Sequence, residues 1–322
     1  MKVFEANEKN ISTASHIIKG GGLVAFPTET VYGLGANGLN ATAVAKIFEA
    51  KNRPTFNPLI LHIADKNHLE DISVVVNHIV YKLIEVFWPG PLTLVLPKKE
   101  KVPEIVTSGN PTVAVRMPDH RVALSLIEKA GIPIAAPSAN IFGQLSPTTA
   151  AHVEASLKDK IDMILDGGGC RVGLESTILQ VEESKFTLLR PGGVPVEKIE
   201  EYTGIIEKKE IISDAPVSPG QLPYHYSPTQ PLKFLDEVDI ESVDPLKTGI
   251  IYFSEKKFDK NFSSVKVLSP TRNMYEAAAN LFSHLHLLQS QKLDLILVER
   301  IERTGLGTAI MDRLQRAAAK YR

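Results

Sequence analysis

The pattern of apolar and polar positions changes period repeatedly along the chain, and each change marks an element. Ile11, Ala14, Ile17 and Ile18 recur at helical spacing over residues 8–19, and Gly20-Gly21-Gly22 ends that helix. Residues 23–26 are apolar and β-favouring until Pro27 stops them, which predicts a strand followed by a polar loop carrying Thr28, Glu29, Thr30 and Tyr32. Asn40 can cap a helix running to about Ala50, with Val44, Ile47 and Phe48 inward. Residues 58–63 and 92–96 read as strands, and 75–87 as a helix stopped by Trp88-Pro89-Gly90-Pro91. Residues 112–117 alternate like a strand whose polar set includes Arg116. Residues 121–130 form a helix with Gly131 as C-cap, before a buried strand over 132–136. A helix over 147–157 with Ser146 as its cap, then strands over 162–165, 176–181 and 186–189, follow. The irregular mixture predicts an α/β sheet domain that is not a simple doubly wound repeat.

The pattern lapses over residues 204–231, where Pro216, Pro219, Pro223, Pro228 and Pro231 leave room for little but an extended linker. That segment also carries Tyr224, His225 and Tyr226, which a passive spacer does not need. Beyond it lie strands over 249–253 and 265–268, then a helix that Thr271 can cap with Met274, Ala278, Leu281, Leu285 and Leu288 on one face. A strand over 293–298 and a helix over 308–320 complete the chain. Strand and helix in alternation predict a small parallel α/β domain. The expected division is 1–205, a proline-rich linker over 206–231, and 232–322.

Composition narrows the class. At 322 residues two domains are expected, each able to bury a core. With 36 basic and 37 acidic residues the formal charge is −1, so no global field gathers nucleic acid or an anionic membrane. Cys170 is the single cysteine, which excludes an internal disulfide and any multi-cysteine metal site and fits a reducing cytoplasm. No run approaches 18 apolar residues and the N-terminus lacks the core of a signal peptide, so a cytoplasmic protein without a membrane span is expected.

Familiar motifs mostly fail. Gly33-Leu-Gly-Ala-Asn-Gly38 matches the dinucleotide fingerprint in form, but it stands too far from its strand and lacks the acidic residue about 20 positions on, so a glycine-lined turn is expected. No P-loop occurs. His284 and His286, two apart on a helix, read as structural. Glu29 and Glu175 read as a carboxylate pair, or equally as caps or salt-bridge partners. Gly167-Gly168-Gly169 reads as a turn or an anion nest. Lys51 and Arg53 complement a helix C-terminus, or form a phosphate clamp. What accumulates at predicted strand ends is Thr30, Lys51, Arg53, Asn57, His62, Arg116, Ser138, Asn140, Ser146, Ser176 and Arg190. Four cations without neighbouring acids point to a pocket for anions, and the hydroxyls and amides to a polar small molecule.

In order along residues 10–205, seven motifs stand together: Pro27-Thr-Glu-Thr-Val-Tyr-Gly-Leu, Lys51-Asn-Arg53 with Asn57-Pro-Leu, Trp88-Pro-Gly-Pro-Leu-Thr, Val115-Arg-Met-Pro118, Ala136-Pro-Ser-Ala-Asn140, Glu175-Ser-Thr177 and Leu189-Arg-Pro-Gly192. This series resembles the threonylcarbamoyl-AMP synthase family of YrdC-like type. Gly305-Leu-Gly-Thr-Ala-Ile310 and Asp312-Arg-Leu314 are similar to the extra C-terminal domain of its longer members. The resemblance implies a YrdC-like twisted mixed sheet followed by a small Rossmann-like parallel α/β domain. It implies an enzyme, a nucleotidyltransferase that makes threonylcarbamoyl-AMP and pyrophosphate from ATP, L-threonine and bicarbonate. The adenylate would feed the tRNA threonylcarbamoyltransferase machinery that forms N6-threonylcarbamoyladenosine. Mg2+ would accompany ATP, with ligands that the sequence does not assign.

By the same resemblance Lys51, Arg53, Asn57, Thr112, Ser138, Asn140, Ser146 and Arg190 would bind ATP, with either Tyr224 or Tyr226 of the linker covering the nucleotide. Thr30, His62, Arg116, Ala136 and Ser176 would hold L-threonine. A carbamate formed from threonine's amine attacks the α-phosphorus without a strong base, so positioning and charge neutralisation by Lys51, Arg53 and Arg190 supply the catalysis. Two other readings stay open: an RNA-binding module without ATP turnover, against which the neutral charge weighs, and a carbamoyltransferase of related fold. The C-terminal domain reads as a stabilising cap or as a gate coupled through the linker.

Overall fold

The strand-forming runs pair into two separate sheets. In the computed structural model, which describes residues 2–208, 218–220 and 225–321, the first sheet has eleven strands. Their order is Val3–Glu5, Met163–Asp166, Val24–Phe26, Gly33–Asn37, Ile134–Ala135, Ile60–His62, Thr112–Arg116, Leu92–Pro97, Thr177–Val181, Phe186–Arg190 and Glu207–Lys208. Parallel and antiparallel pairs mix within it, so it is not a doubly wound repeat. The helices Ala41–Lys51 and Ile79–Phe87 bury Val44, Ile47, Leu83 and Ile84 in one large core beside Leu61, Leu94 and Val115. The helices Glu8–Lys19 and Arg121–Ala130 join a second core with Phe26, Ile134 and Leu165.

The second sheet is all parallel, in the order Leu232–Phe234, Leu295–Val298, Thr248–Tyr252 and Ser264–Val267. Its helices Met274–Gln289 and Leu306–Ala319 bury Leu281, Leu285, Ile310 and Leu314 in a core that also takes Val31, Leu145 and Leu174 from the first domain. The two domains therefore share apolar packing, which favours a fixed arrangement over free domain motion.

Several expectations change. Five of the six residues of the glycine motif form a strand, Gly33–Asn37, and only Gly38 stands in a turn. A Cβ at Gly35 would come within 2.7 Å of the Phe26 ring and 2.9 Å of Ile134, so the glycine admits neighbouring side chains across the sheet. Thr149, not Ser146, caps the helix Ala150–Leu157, its hydroxyl accepting from the His152 N–H at 3.3 Å. Pro147 keeps Ser146 out of the helical region, and the Ser146 hydroxyl is drawn to Glu175 instead. Asn273, not Thr271, caps Met274–Gln289, accepting from the Tyr275 N–H at 2.8 Å. The helix expected over 75–87 begins at Ile79, behind a short helix Leu69–Ile72. The helix Val196–Thr203 and the strands Val3–Glu5 and Leu232–Phe234 were not expected.

Gly173 sits where the first domain meets the helix Met274–Gln289. Its φ is +71, and a Cβ there would lie 2.5 Å from Ala279 Cα and 2.6 Å from the Ala278 carbonyl oxygen. Gly173→Ala should therefore cost roughly 2–4 kcal/mol, from backbone strain plus overpacking against a helix that cannot yield. Gly109→Ala, at φ +79 with nothing within 4 Å, should cost only the strain, roughly 1 kcal/mol. Equal urea midpoints for the two variants would refute this account of the interface.

Candidate functional site

Strand pairing brings several of the expected residues together on neighbouring strands of the first sheet. His62 lies opposite Arg116 in a parallel pair and opposite Ile134 in an antiparallel one, and the Ala136 N–H donates to the Ile60 carbonyl at 3.0 Å. His62 and Arg116 therefore end their strands side by side, while Ala136, leaving its antiparallel strand in the opposite direction, sits two residues back beside Ile60. The loop after Val24–Phe26 folds over this edge, held where Tyr32 N–H donates to the Pro147 carbonyl and Ala139 N–H to the Tyr32 carbonyl.

Arg116 donates from Nε to the Gly90 carbonyl at 3.2 Å and from Nη1 to Thr30 Oγ1 at 3.0 Å. Its Nη2 lies 2.6 Å from Glu29 Oε2, an ion pair whose angle is too poor for an aligned hydrogen bond. The Thr28 hydroxyl donates to the Val31 carbonyl at 2.6 Å, so in the 2.8 Å contact between Thr28 and Thr30 it is Thr30 that donates. This chain fixes the Thr30 hydroxyl from both sides. His62 is buried with Nδ1 unpartnered, and burial together with the Arg116 charge pushes its pKa down to about 3, so the ring is neutral.

A second cluster gathers Lys51, Arg53 and Arg190. Asn52, at φ 51, caps the helix Ala41–Lys51 in the left-handed region and turns the chain between the two basic residues. Lys51 Nζ donates to the Ser138 and Asn140 carbonyls, both at 2.5 Å. Arg53 donates to the Asn57 carbonyl at 3.2 Å and the Pro58 carbonyl at 2.9 Å. Arg190 Nη2 donates to the Ser176 carbonyl at 2.9 Å and its hydroxyl at 3.2 Å, and that hydroxyl lies 2.7 Å from Thr93 Oγ1. Among the described residues the only buried carboxylates are Glu29 and Glu175, and neither forms an ion pair with these three cations. Burial pushes Lys51 well below the usual lysine value, with the Arg53 charge acting the same way, and burial pushes Arg53 down to about 9.

Arg53, Arg116, Arg190 and His62 border a cavity of about 50 Å3. Thr30, His62, Arg116, Ala136 and Ser176, the five residues expected at L-threonine, all line it, as do Arg53, Ser138, Arg190 and Tyr226 of the expected nucleotide set. Lys51, Asn57, Thr112, Asn140 and Ser146 are not among its lining residues. Lys51 and Asn140 are tied to Ser138, whose hydroxyl donates to Asn140 Oδ1 at 2.5 Å. Asn57 is buried with both side-chain atoms unpartnered, and the register of Ile60 with Ala114, continued backwards, sets Thr112 beside Pro58. Ser146 donates its hydroxyl to Glu175 Oε1. Tyr224 lies outside the described residues. Tyr226 is buried at φ 63 and walls the cavity together with His225, Pro219 and Gly220.

Sequence reasoning gave no site role to Thr28 and His225, which line the cavity, or to Arg313, which pairs with the lining Glu175. Glu29 and Glu175 do not act as a dyad but as salt-bridge partners, Glu29 of Arg116 and Glu175 of Arg313, whose Nε lies 2.7 Å from Glu175 Oε2. His286, from the second domain, stacks on His152 with centroids 3.8 Å apart, and its Nε2 lies 3.1 Å from the Ser146 carbonyl. The Gly167-Gly168-Gly169 turn is closed by Tyr32, whose hydroxyl donates to the Gly168 carbonyl at 2.8 Å. Among the described residues no group of three or more His, Cys, Asp or Glu could hold a metal ion. No helix among them is long and apolar enough to cross a membrane.

A family model described as "Telomere recombination" matches residues 16–192, and one described as "Threonylcarbamoyl-AMP synthase, C-terminal domain" matches residues 194–319. The chain is 44% identical over 321 residues to a threonylcarbamoyl-AMP synthase of Pyrococcus abyssi, covering 97% of this chain and 94% of that one. It is 43% identical over 325 residues to that of Bacillus subtilis, with the same shares covered. A crystal structure of P. abyssi Sua5 complexed with L-threonine superposes with a TM-score of 0.89 at 43% identity, covering 98% of this chain and 96% of that one.

The buried His62 makes stability depend on pH. It stays neutral in the folded chain down to about pH 3, whereas the unfolded chain protonates it near 6.5. Below 6.5 the unfolded state binds the additional proton, so this residue alone lowers stability by up to about 1.4 kcal/mol per pH unit until the folded value is reached. Between pH 6.5 and 4.5 the parent should lose roughly 2–3 kcal/mol more than His62→Asn in urea unfolding. Parallel pH profiles would show that the ring does not carry this penalty.

Proposed function

The chain belongs to the threonylcarbamoyl-AMP synthase family, and we propose that it joins L-threonine, bicarbonate and ATP into threonylcarbamoyl-AMP with release of pyrophosphate. The observation that carries this reading is the convergence of all five residues expected at threonine on one cavity, beside three buried cations that lack carboxylate partners. Arg116 retains N–H groups beyond those given to Gly90, Thr30 and Glu29, and a guanidinium fork suits threonine's carboxylate. Neutral His62 and the hydroxyls of Thr30 and Ser176 supply the polar contacts for the rest of the amino acid.

Lys51, Arg53 and Arg190 would take the triphosphate. Their charges are held by carbonyl dipoles in a desolvated site, and an arriving polyanion relieves the burial cost that depresses Lys51. As the threonine carbamate attacks the α-phosphorus, charge moves towards the departing pyrophosphate, where fixed cations stabilise it most. Mg2+ would enter on the phosphate oxygens of ATP, because the two buried carboxylates are already paired with arginines. Ligand pockets of ~300–1,000 Å3 are usual, so a cavity of about 50 Å3 must widen for ATP. The linker residues His225 and Tyr226 form one wall of that cavity. The adenylate would pass in the cytoplasm to the tRNA threonylcarbamoyltransferase machinery.

The test is pyrophosphate release by the purified chain with ATP and bicarbonate, with L-threonine or with L-serine. Release that depends on threonine supports the reading, and tRNA binding without release would support an RNA-binding module instead. Lys51→Ala and Arg53→Ala should each lose roughly tenfold to a thousandfold in kcat, as removal of charge-stabilising donors does elsewhere. Unchanged turnover in these variants would remove both residues from the mechanism.

A further inference from the structure

Arg313 is not among the residues that the proposed reaction uses and does not line the cavity, yet it contacts two of the cavity's walls from the other domain. It arrives on the helix Leu306–Ala319, is buried, and has its whole guanidinium engaged. Nε pairs with Glu175 at 2.7 Å, Nη1 with Asp312, and Nη2 donates to the Pro191 carbonyl at 3.0 Å. Its central carbon lies 4.8 Å from the centroid of the Tyr226 ring. Glu175 and Tyr226 both line the cavity.

The consequences spread from these two partners. Burial raises the Glu175 pKa, but Arg313, Arg190 and the Ser146 hydroxyl together hold it below the usual carboxylate range. An ionised carboxylate only accepts, so the single Ser146 proton is committed to Glu175 and its lone pairs are left for other partners. Tyr226 is braced from the second domain by Phe282, 5.7 Å away, and keeps a left-handed backbone that a residue with a Cβ holds only when its surroundings dictate it. A buried ion pair is a poor device for joining domains, since apolar residues of like volume do as well, and the shared core around Val31, Leu145 and Leu174 already does so. What the arginine adds is orientation.

We propose that Arg313 is a positioning residue for the synthase reaction, supplied by the second domain, which sets the Glu175 carboxylate and the Tyr226 ring against the cavity and, through Glu175, the Ser146 hydroxyl. The proposal rests on the synthase reading above. Arg313→Lys keeps the charge but loses the planar fork that spans Glu175, Pro191 and Tyr226. Arg313→Met combined with Glu175→Gln removes both charges of the pair, so neither is left buried without the other. Threonine-dependent pyrophosphate release and urea unfolding are measured on the full chain and on both variants. Both variants should unfold close to the parent yet lose at least about tenfold in kcat, with the KM for ATP changing less than kcat, as misplacement of a site's walls does. A folded double variant with kcat within about twofold of the parent overturns the proposal, whatever Arg313→Lys does. A parent that releases no pyrophosphate overturns the synthase reading and this proposal with it, whereas an active parent with equally active variants overturns this proposal alone.

Discussion

Burying a charge without a partner costs several kcal/mol, and this chain buries five cations, Lys51, Arg53, Arg116, Arg190 and Arg313, against two carboxylates, Glu29 and Glu175, among its described residues. The two carboxylates are taken by Arg116 and Arg313. The other three cations lean on the carbonyls of Ser138, Asn140, Asn57, Pro58 and Ser176, which carry partial charge and cannot neutralise them. Such carbonyls converge only where several strands and loops end together, and the mixed first sheet provides that edge. The fold therefore holds apart the positive charge that a triphosphate would complete, and a preorganised site of this kind needs little rearrangement when charge develops in it.

How far the sequence disclosed this depended on range. Elements with several turns of strong periodicity, such as Glu8–Lys19 and Arg121–Ala130, were legible to their ends, because Asn7 and Gly131 cap them locally. The strands Val3–Glu5 and Leu232–Phe234 are three residues long, too short to show a period, and exist because a longer partner pairs with them. The Gly33–Asn37 strand hid behind its glycines, whose role only the Phe26 ring packed over Gly35 explains. At the site, residues that end strands were visible as polar interruptions of apolar runs. Arg313 entered only within the Asp312-Arg-Leu314 resemblance and without a role, since its partner Glu175 is 138 positions away and nothing local shows that it is buried.

The linker residues His225 and Tyr226 occupy a place that the cations would otherwise offer to an anion. His225 is buried, and burial together with Arg53, Lys51 and Arg190 holds its pKa well below the ordinary value, so it enters this company only as a neutral ring packed edge-on against Phe142 at 5.6 Å. A neutral aromatic filler is well matched to such a site, because it excludes water without satisfying the charge.

The second domain is tied to this balance at several points. Gly173 lets the loop before Glu175 lie directly on the backbone of Met274–Gln289, and His286 of that helix holds the Ser146 carbonyl. Phe282 of the same helix backs Tyr226, while Arg313 from the next helix faces both Tyr226 and Glu175. A movement of the second domain would therefore disturb the Ser146–Glu175 contact and the linker wall together, not one without the other. The three unpaired cations all belong to the first domain. Their receptor can form there, but the wall that closes it is braced from the second, so the cavity as a whole is a property of both domains.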